Sequence, residues 1–312
     1  MVSVLKGNCN FCAYWQVQSE RINMSNEKLI KKGLRLQRLM KIYTKINSFI
    51  SKPFGKVRYV ETSHGMIKVL EYGFDSNETA PLFIDMHGGG FVLGSAELDD
   101  YMCHYFQENI KVKTISIDYP KAPKNPFPIA LDAVYEVIKH YVNNAALYKF
   151  DPNRIGIGGH SAGANFTTVT CMKAKEKGDL LFKYQILDYP PVDMTLDAFT
   201  KPSPKGAVSP KMVDMFNACY YNNDPEIAKL PYLSPICASK EQLIGLPPAL
   251  LIVAGLDSLH DEGVRYGDML REAGVKVEFH DFKESVHGFT LNKTPDAKKG
   301  HELMADFINR YK

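Results

Sequence analysis

The sequence predicts an α/β fold, a mostly parallel sheet covered by helices on both faces, and three observations carry that expectation. From Pro53 onward, runs of strand character alternate with stretches of helical period, the pattern of strand–helix–strand units. The length of 312 residues suits one large α/β domain and buries enough surface to need no disulfide or metal staple. The composition, 45% hydrophobic and 23% charged, is that of an ordinary globular chain and excludes wholesale disorder.

Residues 1–23 carry no steady period and read as an unpatterned leader, with the natural start expected at Met24. Residues 24–52 then read as one N-terminal cap helix. Ser25 is its expected cap, and Leu29, Leu36, Leu39, Met40, Tyr43, Ile46 and Ile50 share a face opposite a row of Lys and Arg. Val57–Thr62 and Met66–Tyr72 flank Ser63-His64-Gly65 as a hairpin. The further strands expected are Leu82–Met86, Thr114–Tyr119, Arg154–Ile157, Tyr184–Asp188, Ala249–Val253 and Val275–Phe279. Helices are expected at Ile129–Tyr141, Ala162–Lys177 and Asp261–Ala273. From about 190 to 247 nine prolines break the alternation, and this segment reads as a cap insertion into a single domain over 53–312.

Several classes of function are set aside by the same reading. A net charge of +3 is small for a nucleic-acid binder. No run approaches ~18 uninterrupted apolar residues, so no stable membrane insertion is expected. Neither nucleotide-loop signature, GxGxxG or GxxxxGK[ST], is present. Cys9 and Cys12 form a CxxC without a second ligand pair, so no metal is expected. Cys103, Cys171, Cys219 and Cys237 read as reduced core thiols, which suits a cytoplasmic protein.

Four segments carry the chemistry. Gly159-His160-Ser161-Ala162-Gly163 follows a strand and opens a helix. A serine there sits on a sharp turn that lifts its hydroxyl above the sheet, and the neighbouring His160 is expected to point away. His87-Gly88-Gly89-Gly90 follows another strand. Its bare amides suit an oxyanion hole, assigned to Gly88, Gly89 and Ala162. Asp257 lies past the strand Ala249–Val253, at the sheet edge where α/β sites are held, whereas Asp261 and Glu262 fit the first turn of the next helix. His287 follows the last strand in a loop and completes the order Ser161, Asp257, His287.

With these motifs in place, the chain resembles the hormone-sensitive-lipase-like branch of the α/β hydrolases, over about residues 55–311. His87 to Phe91, Asp151 to Arg154, Gly159 to Asn165, Pro247 to Leu250, Asp257 to Gly263 and His287 to Phe289 carry the resemblance. It implies an eight-stranded sheet, a two-part cap and hydrolysis of carboxylic esters by Ser161, His287 and Asp257 without a cofactor. Phe91, Phe216, Tyr220 and Tyr221 are expected to bind substrate, with Tyr232 also narrowing the acyl pocket. The expected partner is a small-molecule ester of short acyl chain, and a homodimer is left open. Two departures stand out. His160 replaces the usual Asp before the nucleophile, and Tyr119-Pro120-Lys121-Ala122-Pro123-Lys124 lacks the usual Arg and Glu. The GHSAGA form also resembles arylformamidases, which keeps amide hydrolysis as one alternative. A membrane-associated lipase, suggested by the basic helix, is the other.

Overall fold

The computed structural model describes residues 25–42 and 52–312. The proposed leader, Cys9 and Cys12, and the end of the first helix with Tyr43, Ile46 and Ile50 lie outside the described residues.

Eight strands form one sheet: β1 (Lys56–Thr62), β2 (Gly65–Tyr72), β3 (Ala80–Met86), β4 (Lys113–Asp118), β5 (Phe150–His160), β6 (Tyr184–Asp188), β7 (Ala249–Leu256) and β8 (Val277–Val286). Their spatial order is β1-β2-β4-β3-β5-β6-β7-β8. The hairpin β1–β2 and the pair β2–β4 are antiparallel, and every later pairing is parallel. Each strand expected from sequence is present. β8 runs seven residues further than Phe279, to Val286. Its second half alternates no apolar pattern because it is an edge strand, where polar side chains are tolerated and useful.

The helices are α1 (residues 25–42), α2 (Asp100–Ile110), α3 (Ile129–Asn143), α4 (Ala145–Tyr148), α5 (Ala162–Lys177), α6 (Pro210–Tyr221), α7 (Pro225–Ala228), α8 (Lys240–Leu243), α9 (His260–Glu272) and α10 (Pro295–Tyr311). Successive strand residues face opposite layers. Leu82, Ile84, Leu251 and Val253 pack with α3, α5 and α9. Phe83, Leu250 and Ile252 pack with Phe106 of α2 and Phe307 of α10. None of the helices among the described residues is long and apolar enough to cross a membrane.

Residues 189–248 join β6 to β7 and hold α6, α7 and α8. α1 packs beside them largely through the face read off its apolar residues, with Leu29 and Leu36 against the core; Leu39 is the exception. Ser25 is already helical, and Leu39 is 63% exposed. Beside Leu29 and Leu36 on the inner face run Asn26, Ile30, Gly33 and Gln37. Gly33 sets the approach, since a Cβ there would stand 2.6 Å from Cys219 Sγ. Asn26 Nδ2 donates to the Asn222 carbonyl at 2.8 Å, and Asn223 Nδ2 donates to Asn26 Oδ1 at 3.1 Å. The basic residues Lys28, Lys31, Lys32, Arg35, Arg38 and Lys41 all face solvent.

Candidate active site

Ser161 occupies the single residue between β5 and α5, with φ 53° and ψ −124°. That left-handed backbone is strained for a residue with a side chain, and such strain gathers at functional turns. The turn is held from both sides. The Ser161 N–H donates to the Asp188 carbonyl at 2.8 Å, and the Ser161 carbonyl accepts from Ala164 and Asn165 at the head of α5. Gly163 lets the helix meet the end of β3, because a Cβ there would stand 1.8 Å from the Met86 carbonyl oxygen.

Asp257 follows β7 directly and His287 follows β8 directly. His287 Nδ1 lies 2.6 Å from Asp257 Oδ2, and His287 Nε2 lies 2.9 Å from Ser161 Oγ. The three side chains therefore form one hydrogen-bonded row across the carboxyl ends of β5, β7 and β8. Asp257 is buried and also accepts from the Leu259 N–H. The Tyr189 ring packs edge-on against His287, 4.8 Å between centroids. Asp261 and Glu262 lie in the first turn of α9. Glu262 also accepts from the Val192 and Asp193 amides at 2.8 and 3.2 Å and pairs with Lys201, which fastens the start of the cap.

The loop after β3 corrects one assignment. The Gly88 N–H is already taken, donating to His160 Nε2 at 3.1 Å. Gly88 thus has no amide to offer a substrate oxygen. The amides of Gly89, Gly90 and Ala162 donate to no partner among the described residues. The Gly90 amide, passed over from sequence, is thus uncommitted where that of Gly88 is not. His160 is corrected with it: the ring is buried and lies under this loop, bordering the cleft, rather than pointing away. The departure at Lys121 has its own compensation. Lys121 pairs with Asp118, which also receives Lys68 at 3.0 Å. These cations and His87 hold the Asp118 carboxyl well below the usual range despite its burial.

A cavity of about 370 Å³ opens above Ser161 and His287. Phe91 and Phe216 border it, as expected. Phe216 rests on the loop so closely that a Cβ on Gly90 would overlap its ring, 2.2 Å from Cδ2. Tyr220, Tyr221 and Tyr232 do not border it. Tyr220 stacks behind Phe91 with ring centroids 4.0 Å apart, filling the space where the cavity ends. Tyr221 is buried with its hydroxyl donating to the Met194 carbonyl, and Tyr232 pairs with Glu176 on α5. Sequence reasoning also missed Gln37. Its Nε2 donates to the Val92 and Ala122 carbonyls, at 2.8 and 2.5 Å, and so ties α1 to the chain beyond the glycine loop. Cys103, Cys171 and Cys219 are buried free thiols; Cys237 is exposed, since it sits in a short turn of the cap. Among the described residues, no group of three or more His, Cys, Asp or Glu side chains is placed to hold a metal ion.

A family model described as the alpha/beta hydrolase fold matches residues 83–291. Esterase LipI of Mycobacterium tuberculosis is 31% identical over 213 residues, 67% of this chain and 66% of its own length. Carboxylic ester hydrolase LipN of the same organism is 33% identical over 233 residues, 72% of this chain and 61% of its own. The chain thus spans about two thirds of the length of these curated relatives. Among solved structures, EstE1, a thermophilic carboxylesterase cloned from a metagenomic library, superposes with a TM-score of 0.79 at 27% identity, covering 89% of this chain and 97% of that one. This chain belongs to the α/β-hydrolase family, in its hormone-sensitive-lipase-like branch.

Proposed function

We propose that this α/β hydrolase is a serine carboxylesterase acting on short-chain acyl esters through an acyl-enzyme on Ser161. The observation that carries the reading is the row Ser161–His287–Asp257, at 2.9 and 2.6 Å, beside three uncommitted amides. Ser161 Oγ attacks the ester carbonyl while His287 Nε2 accepts its proton. The oxyanion is received by the Gly89, Gly90 and Ala162 N–H groups, each such donor being worth about 3 kcal/mol. The proton then passes from His287 to the leaving alkoxide, and a water activated by the same nitrogen releases the acid. Asp257 keeps the His287 Nδ1–H in place and stabilises the imidazolium. No cofactor enters these steps.

The short-chain preference is supported by the cavity volume of about 370 Å³, at the small end of ligand sites. Phe216 on Gly90 closes one wall at the reacting centre. Residence in the cytoplasm is supported by the free thiols. The test is turnover of p-nitrophenyl esters with acyl chains from two to twelve carbons, with N-formylkynurenine alongside. Esters of about two to six carbons should be fastest. Faster turnover at twelve carbons would overturn the short-chain reading, and turnover of the formamide alone would move the reading to amide hydrolysis.

A further inference from the structure

Gly88 is gripped at both ends by histidines from different parts of the chain. On one side His87 Nδ1 lies 2.6 Å from the Gly88 carbonyl oxygen, and its Nε2 lies 3.6 Å from Asp118 Oδ1. On the other side the Gly88 N–H donates to His160 Nε2 at 3.1 Å. The glycine admits this second ring, since a Cβ at position 88 would stand 2.8 Å from His160 Cδ2. Asp99 Oδ1 is also 3.3 Å from His160 Nε2. One nitrogen cannot both donate to Asp99 and accept from Gly88. Burial, with Asp85 alongside, pushes the Asp99 carboxyl well above the usual range. Burial also brings the His160 ring down to about 3, so it stays neutral. The Asp99 proton is shared with the Asp85 carboxyl, so neither acid donates to the ring, and the Nε2 lone pair is left to the Gly88 N–H.

The geometry points to His160 as a positioning residue of the oxyanion hole: by accepting the Gly88 N–H it fixes the peptide from which the Gly89 and Gly90 amides project. This rests on the reading of Ser161 as nucleophile. It also accounts for the departure from the acid usual in similar sequences. A carboxylate at position 160 would be pressed into one buried space with Asp99 and Asp85, and such groups cannot all ionise together.

The test compares His160→Gln with His160→Met, two side chains of similar size of which only Gln keeps a carbonyl acceptor. Stoichiometric release of p-nitrophenol from an irreversible p-nitrophenyl phosphonate counts working sites, so that kcat is expressed per site. For His160→Met, kcat per site should fall about ten- to a hundredfold with KM little changed, a part of what a lost oxyanion donor costs. Affinity for a trifluoromethyl ketone, whose adduct places an oxyanion in the same hole, should fall by the same factor. His160→Gln should recover most of both. Equal impairment of the two variants overturns the assignment, as does a loss confined to the number of sites or to melting temperature. Should His160→Met not fold, ¹⁵N-histidine spectra of the wild type decide, with His160→Gln giving the assignment. A neutral Nδ1–H ring is expected, and an Nε2–H ring overturns the proposal. A wild-type protein that the phosphonate does not titrate, or titration retained by Ser161→Ala, overturns the serine-esterase reading instead and leaves the spectra to judge His160.

Discussion

Beneath the cleft, Ser161, Asp257 and His287 follow the ends of β5, β7 and β8 in a single sheet. Their spacing is fixed by main-chain ladders and by glycines that let backbone approach backbone. Above the cleft, the walls come from the segment between β6 and β7, with Met212 and Phe216 on α6, and Gln37 of α1 ties in behind them through the Val92 and Ala122 carbonyls. These are joined by side-chain packing and a few hydrogen bonds. Reacting atoms must be held within fractions of an ångström, and a hydrogen-bonded sheet does this. An acyl chain only has to be accommodated, and packed side chains do that while remaining exchangeable. The floor should therefore answer substitution with loss of rate, and the roof with a change of preference.

The largest expected effect breaks the floor alone. Ser161→Ala should lower kcat toward p-nitrophenyl butyrate by at least about a thousandfold. Its unfolding midpoint should be little changed, since alanine keeps the Cβ at the strained turn and only the hydroxyl is lost. A residual rate above about a hundredth of wild type would remove Ser161 from its role.

Phe216→Ala tests the roof. Removing the ring from Gly90 should raise the ratio of kcat/KM for eight-carbon over four-carbon esters by about five- to tenfold, the scale of discrimination an apolar pocket can give. A uniform fall in kcat across the series would instead make the roof part of the reacting geometry and dissolve the contrast.

The smallest effect sharpens the account of what lies under the floor. His160 is held neutral to about 3 by burial, whereas an unfolded histidine takes a proton below about 6.5. The unfolded state then binds more protons between these values, so this group's contribution is lost as pH falls through that window. Asp188 works the other way. Burial pushes its carboxyl up to about 8, so the folded state keeps a proton that the unfolded chain releases above about 4, and stability is lost as pH rises toward 8. Urea midpoints of His160→Gln should show a shallower acid-side loss than wild type between pH 6.5 and 4.5. Those of Asp188→Asn should gain on wild type from pH 5 to 8. Parallel curves would contradict both.

How far the sequence could be read follows the same division. The strands were legible because their apolar runs are bounded by turn residues, and Ser161 and Asp257 because each lies just past such a run, whereas His287 was read from the chain order it completes. The polar half of β8 was not, since an edge strand with Lys283 and Glu284 exposed has no core pattern to show. Which glycine amides are free was not legible either. That depends on His160 reaching back 72 residues to Gly88, a contact no local pattern encodes. On α6, Met212, Phe216 and Tyr220 share one helical stripe, yet the cavity ends between the last two because Phe91 fills it. Gln37 was hidden for a related reason: the inner row of α1 is partly polar and centred on a glycine, so a search for an apolar face selects Leu39, which is exposed.

The contact of Asn26 with Asn222 has a consequence for the order of synthesis. It closes a span of 196 residues. Closing so long a loop costs little more than a shorter one, about 0.6 kcal/mol for each doubling. The cost falls in time. The landing place of α1 on α6 is made nearly two hundred residues after α1 itself. At usual elongation rates of roughly 5–20 residues per second, the helix waits on the order of ten seconds or more with its inner row uncovered. The α1–α6 contact can therefore close while β7 and β8 are still to be made, and Asp257 and His287 reach the cleft only after its roof exists.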